Sequence, residues 1–222
     1  MAGRLSIVDE EYVLTLVVRV EKGARPEQTD ALETAARAVP AILADERSTG
    51  EGEWAEAMDA WQDARIRKVV RRARGAEWRR AEALPGITVT GSAAEVRVFP
   101  PVPLDAVPKD LAKLQVTGTD FDLAEDLVVP DPGTPVLWIN PGLTMSSGKA
   151  MAQCGHGAHL AWWAMTSVRR KAWESTDFAL AVRTATPAQW KKLLTRDLPV
   201  VEDAGFTEVE PGSRTVIAEV TA

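Results

Sequence analysis

The chain has 222 residues, 45% of them hydrophobic and 26% charged, with a formal net charge of -6. These values are ordinary for a soluble globular protein, and the length suits one large domain or two small ones around a real core. A single cysteine excludes an intramolecular disulfide, and the apolar run Val13 to Val20 is too short to span a bilayer and follows Asp9-Glu10-Glu11. No signal-peptide pattern precedes that run, so the cytoplasm is the expected compartment.

In chain order, residues 12–20 read as a buried strand rich in valine and leucine. A helix is expected over 26–44, with Pro26 in the first turn and alanines and leucines at helical spacing. Residues 45–53 are polar and glycine-containing and read as a loop; Trp54 and Trp61, seven apart, share a helix face and pack. Residues 65–80 hold eight basic side chains against Glu77, a local +7 that leaves -13 on the remainder. Such a patch on an acidic body can meet a phosphate backbone; the alternative is a solvated charged face. Two short strands at 84–91 and 95–99, a proline-rich close at 100–103 and a short helix at 105–114 complete the first half. Residues 119–135, with four aspartates, one glutamate and three prolines, read as linker or surface wrap.

The second half opens on the apolar run Val136 to Ile139, followed by Asn140-Pro141-Gly142, a hydroxyl-rich loop and Gly148-Lys149, a strand, loop and helix in turn. Ser146 or Ser147 caps that helix. Lys149 then falls in the first turn, where the dipole disfavours a cation, so it marks either an anion site or a solvated lysine. A nucleotide-binding P-loop is excluded, because five residues separate Gly142 from Gly148 and Ala150 lacks the hydroxyl that holds magnesium. Gly155 and Gly157 inside the helix imply close approach to a sheet or a ligand. A strand is expected at 178–182. The capping box Thr186-Pro187-Ala188-Gln189 starts a helix running to about residue 196, and two strands at 206–210 and 215–220 flank the turn at Pro211-Gly212. Cys154 and His156 point about 200° apart on a helix and cannot form a nucleophile–base dyad. His156 and His159 share a face but lack a third ligand at metal spacing, so no metal is expected.

Met145 with Gly148-Lys149-Ala150-Met151-Ala152-Gln153-Cys154-Gly155-His156 resembles the first motif of the archaeal and eukaryotic-type peptidyl-tRNA hydrolases, the second class of that activity. Asp203-Ala204-Gly205-Phe206-Thr207 and Pro211-Gly212-Ser213-Arg214-Thr215 are similar to that family's second motif, in order and spacing. The resemblance covers about the last ninety residues well and the first half faintly. It implies hydrolysis of the ester joining a peptide, or an N-blocked aminoacyl group, to the 3′ end of tRNA, with no cofactor. Lys149, Asp203, Thr207 and Thr215 are then the expected catalytic residues, with Asp203 acting on water and Lys149 on the oxyanion or the terminal phosphate. Gly148, Gln153 and His156 would contact substrate, and Arg71, Arg72 and Arg74 would contact tRNA. The family usually carries further lysines before Gly-Lys, where this chain has Thr144, Ser146 and Ser147, and an arginine where this chain has Phe206. The basic segment 65–80 is expected to replace that charge. The competing reading is a non-catalytic RNA-binding or scaffolding protein on the same fold.

The halves also match each other. Residues 70–80 align without a gap on 182–192, including Trp78 on Trp190; Gly86-Ile87-Thr88 answers Gly205-Phe206-Thr207, and Val13-Leu14 answers Val136-Leu137. The expected fold is α/β, two similar units each with a small mixed sheet and helices on its faces, from an internal duplication. The units are a degenerate 1–118, a linker 119–134 and a motif-bearing 135–222. Arg25-Pro26 and Leu84 stand where the second unit has Gly148-Lys149 and Asp203, so one active site is expected in a monomer that acts as its own pseudo-dimer. An insertion between the first helix and second strand of unit one is expected at the periphery.

Overall fold

The structure, a computed structural model, describes residues 11–123, 127, 129–205 and 207–220. The expected α/β architecture of two mixed sheets is present. In the first sheet β1 (Tyr12–Arg19) pairs in parallel with β2 (Lys68–Ala73) and antiparallel with β4 (Glu95–Val98), which pairs with β3 (Ile87–Thr90). The order is β2-β1-β4-β3, and the two-residue β5 (Val102–Pro103) adds to the start of β1. In the second sheet β6 (Val136–Ile139) pairs in parallel with β7 (Ala181–Thr184) and antiparallel with β9 (Arg214–Glu219), which pairs with β8 (Val200–Glu202). Its order, β7-β6-β9-β8, repeats that of the first sheet strand for strand.

The long helix after the first strand of each sheet, α1 (Gln28–Ala44) and α5 (Ser147–Ala164), covers one face and packs against the other long helix, so one hydrophobic core runs through both halves. Each helix also reaches the edge strand of the opposite sheet, α1 meeting β7 and α5 meeting β2. Glu33 on α1 accepts from the Val182 amide at 3.0 Å and from Arg183 at 2.9 Å. The outer faces carry smaller cores built around Trp78 on α3 (Gly75–Glu82) and Trp190 on α7 (Pro187–Leu193). Each tryptophan is the fourth residue of its helix. β1 is apolar over most of its length, Thr15 and Arg19 excepted, because both of its faces are covered.

The segment after α1 is not peripheral. Trp54, Met58 and Trp61 on or beside α2 (Ala55–Gln62) are buried in the shared core, and the Trp61 indole donates to the Arg67 carbonyl at 2.8 Å. The second half has a helix in the corresponding place, α6 (Ser167–Glu174), so most of this segment belongs to the common plan. The stretch after α4 (Lys109–Ala112) is also more than a wrap, since Thr119 and Phe121 are buried. The Asp122 carbonyl accepts from Gln28 N at 2.7 Å and the Thr119 carbonyl from Gly148 N at 3.2 Å, so the linker satisfies orphan amides of both long helices.

Two strands lie elsewhere than expected. Asp177 and Phe178 have positive φ, 51° and 57°, in the turn that closes α6, so β7 begins at Ala181; Phe178 is a buried core anchor. Of the strand expected at 206–210, the described residues 207–210 form a loop. Gly205 and Glu208 take φ of +77° and +52°, and β9 pairs instead with Val200–Glu202. Among the described residues no helix is long and apolar enough to cross a membrane.

A candidate active site at the start of α5

Ser146 caps α5, its Oγ accepting from Lys149 N at 3.2 Å, which fixes Lys149 in the first turn. Gln153 and His156 follow four and seven residues later on the same face. That face passes over β8 and β9 because Gly157 sets the helix against the sheet: a Cβ there would lie 2.8 Å from Val216 and 3.3 Å from Leu137. Gly155 does the same toward α1, where an added Cβ would meet Val39 at 3.2 Å.

Asp203 closes the hairpin between β8 and β9. Its amide donates to the Ser213 carbonyl at 2.9 Å and its own carbonyl accepts from Gly212 N at 2.7 Å. Its carboxylate gathers three donors: Lys149 Nζ at 2.6 Å and Gln153 Nε2 at 2.8 Å on Oδ2, and Gly205 N at 2.8 Å on Oδ1. Thr215 Oγ1, fully buried on β9, donates to Gln153 Oε1 at 2.5 Å, and Lys149 Nζ reaches Thr207 Oγ1 at 3.2 Å. Because a carboxylate only accepts, Gln153 must turn its NH2 to Asp203 and its carbonyl to Thr215. The chain Thr215→Gln153→Asp203 therefore has one direction. The four expected catalytic residues and Gln153 thus form a single network.

Thr207 enters it from the loop rather than from a strand facing Thr215. The loop is held by Glu208, whose carboxylate accepts from Ser146 N and Oγ, both at 2.8 Å. The anion anticipated at the α5 N-terminus is therefore the protein's own glutamate. Phe206 lies outside the described residues.

Beside this network a cleft of about 510 Å³ separates the second half from β2. Its near wall carries Gly148, Lys149, Gln153, His156 and Asp203; its far wall, from the first half, includes Arg65, Arg67, Lys68 and Arg71 and no acidic residue. Of the arginines expected to contact tRNA, only Arg71 lines the cleft, its guanidinium donating to the carbonyls of Ala112 at 3.2 Å and Leu114 at 2.8 Å. Arg72 is tied to Gln115, and Arg74 sits exposed at the start of α3, so neither lines it. Arg65, Arg67 and Lys68 could have been picked out from the sequence only with the strand position known, since the cleft wall is set by where β2 begins.

Among the described residues no group of three or more histidine, cysteine or acidic side chains is placed to hold a metal. Cys154 is buried, and burial pushes its thiol well up, away from the reactive range. His159 is buried against Trp61, ring centroids 5.0 Å apart, and burial first, then nearby Lys68, pushes its pKa down.

Comparison with curated proteins finds no match. Residues 134–220 match the family described as peptidyl-tRNA hydrolase PTH2. That span contains the whole Lys149–Gln153–Asp203–Thr207–Thr215 network, and the first half of the chain lies outside it. The C-terminal region of this chain is of the peptidyl-tRNA hydrolase 2 type.

Proposed function

We propose that the chain hydrolyses the ester between a peptide, or an N-blocked aminoacyl group, and the 3′ end of tRNA, recycling peptidyl-tRNA in the cytoplasm where translation takes place. The observation that carries this reading is the convergence of Lys149, Gln153, Asp203, Thr207 and Thr215, from separate stretches of chain, into one hydrogen-bonded network at a cleft. An ionised carboxylate offers about four acceptor directions. Three are used at Asp203, which leaves one to orient or deprotonate a water. Lys149 has three N–H groups, two of them directed at Asp203 and Thr207, and the third is free to meet the oxyanion that forms as water attacks the ester carbonyl. Water adds to the carbonyl, the bond to the ribose oxygen breaks, and that oxygen leaves with a proton.

The far wall, whose charged residues Arg65, Arg67, Lys68 and Arg71 are all basic, supports tRNA as the carrier of the ester. We also propose that the repeated strand order and the equivalent places of Trp78 and Trp190 reflect an internal duplication. Residues 1–118 would be a unit that kept the interface and lost the chemistry, joined by 119–134 to the active unit 135–222.

The test is release of N-blocked aminoacyl groups from tRNA by the purified protein. Asp203→Asn should reduce kcat/KM at least a hundredfold, and Lys149→Ala by more than tenfold, about 1.4 kcal/mol of transition-state stabilisation. tRNA binding without release in the unaltered protein would instead establish a non-catalytic RNA-binding protein.

A further inference from the structure

Lys68 comes from β2, outside the family match, yet it reaches the C-terminal site. It is 8% exposed, and its Nζ lies 3.1 Å from His159 Nδ1, 3.3 Å from His156 Nδ1 and 3.2 Å from the Ile66 carbonyl oxygen, 4.6 Å over the Trp61 ring. Among the described residues no carboxylate comes within ion-pair distance of it. The Ile66 carbonyl can only accept, so one amine hydrogen goes there. Burial pushes the Lys68 pKa well down and so disfavours a third hydrogen. The second hydrogen then goes to one imidazole, and the amine lone pair accepts from the other. His159, whose Nε2 is buried without a partner, is the ring that donates from Nδ1, since an orphaned lone pair there costs less than an orphaned N–H; His156 is the ring that accepts. A ring whose Nδ1 accepts carries its own proton on Nε2.

We infer that Lys68 is a positioning residue for the hydrolytic site: it holds His156 as the Nε2–H tautomer, so that the ring offers an N–H donor to a phosphodiester oxygen of the substrate in the cleft. His156 lies seven residues beyond Lys149 on the same helical face, is partly exposed and lines the cleft; the ring edge opposite Nδ1 is the one left for a ligand. Burial, Lys68 and then Lys149 all push its pKa down, which keeps it a neutral donor rather than an imidazolium. The charged and titratable groups around it are Lys68 from β2 and His159 and Lys149 from α5. The site is in this respect incomplete without the first half of the chain. The substrate named here rests on the proposed hydrolase reading, whereas the tautomer does not.

The test begins on the unaltered protein. The chain has two histidines, so long-range ¹H–¹⁵N correlation resolves both rings, assigned with His156→Gln. His156 should show protonated Nε2 and unprotonated Nδ1, and His159 the reverse, from about pH 5.5 to 8, around the ordinary histidine pKa of about 6.5. Adding the dinucleotide CpA should shift the His156 Nε2 resonance. Lys68→Met should raise the His156 pKa only part of the way, since burial and Lys149 still lower it, and should mix its tautomers and lower kcat/KM about tenfold, with Lys68→Arg partly restoring the single tautomer. A protonated Nδ1 on His156 in the unaltered protein overturns the inference even if Lys68→Met fails to fold. An Nε2 resonance blind to CpA overturns the donor role. Absence of hydrolysis in the unaltered protein sinks the enzyme reading alone, since the ring spectra are read independently of turnover.

Discussion

Asp203 accepts from Lys149, Gln153 and Gly205 at once, and that count decides what its amide would do. With Oδ1 of an asparagine placed toward Lys149 and Gln153, its NH2 would face the Gly205 N–H, donor against donor; the flipped amide faces two donors instead. Asp203→Asn should therefore keep the fold while costing about 1–3 kcal/mol, read as a lower urea midpoint with an unchanged slope, alongside the loss of turnover. An unchanged midpoint would mean that the Gly205 contact is not formed. The histidines give a second residue-scale prediction. His156 and His159 are held neutral by burial and by Lys68, their folded pKa values lying below the ordinary value of about 6.5. As pH falls below that value the unfolded chain takes up protons that the folded one refuses, so stability is full above about 6.5 and declines toward acid. Each histidine contributes up to about 1.4 kcal/mol of loss between roughly pH 7.5 and 5.5. Chemical denaturation across that window reads the slope, and His159→Gln should reduce it; a flat profile would mean that the rings titrate normally and are not buried as described.

α5 carries three of the site's polar side chains, and its placement depends on Gly157. Adding a methyl there gains about 1 kcal/mol of helix propensity but drives a Cβ to 2.8 Å from Val216 and 3.3 Å from Leu137, both on the sheet beneath. The clash outweighs that gain, since overpacking costs about 1–3 kcal/mol. Gly157→Ala should thus lower stability and, by lifting Lys149 and Gln153 from Asp203, lower kcat more than it raises KM; a neutral or stabilised variant would show that the helix can move freely. At this scale the sequence was legible where one residue pattern had one outcome. The capping box at Thr186 and Gln189 is formed at both contacts, 3.2 Å and 2.8 Å, and Ser146 caps α5 as its position implied. It misled where a turn signal and backbone conformation disagreed. The turn at Pro211-Gly212 implied a strand over 206–210, yet Gly205 and Glu208 are left-handed and Glu208 is drawn to Ser146 by a contact 62 residues away, which local pattern cannot register. Thr207 consequently meets Lys149 from a loop, and the site survives a wrong assignment of its strand. Lys68 was invisible for the same reason: its partners are 88 and 91 residues distant.

At the scale of the molecule, two sheets with one strand order enclose a shared core, and the long helix of each unit reaches the edge strand of the other. That exchange is why the first half, though it lacks Gly148-Lys149 and Asp203 at the aligned places, still forms a wall of the cleft. It also decides which basic residues should meet tRNA. Arg65 and Arg71 line the cleft, whereas Arg72 is held by Gln115 and Arg74 stands exposed at the start of α3, away from it. Each phosphate neutralised contributes about 0.7 to 0.9 to the log–log dependence of affinity on salt, the lower value for single strands. If the 3′ end of tRNA enters the cleft, Arg65→Gln with Arg71→Gln should flatten the slope by about 1.4 to 1.8, on that basis, and weaken binding most at low salt. Arg72→Gln with Arg74→Gln removes the same formal charge from the same segment, so it controls for the change in net charge and should leave the slope nearly unchanged. The reverse result would place the tRNA across α3 instead. Binding that is unaffected by either pair would return the segment 65–80 to a solvated face and leave the cleft's far wall without a role in recognition.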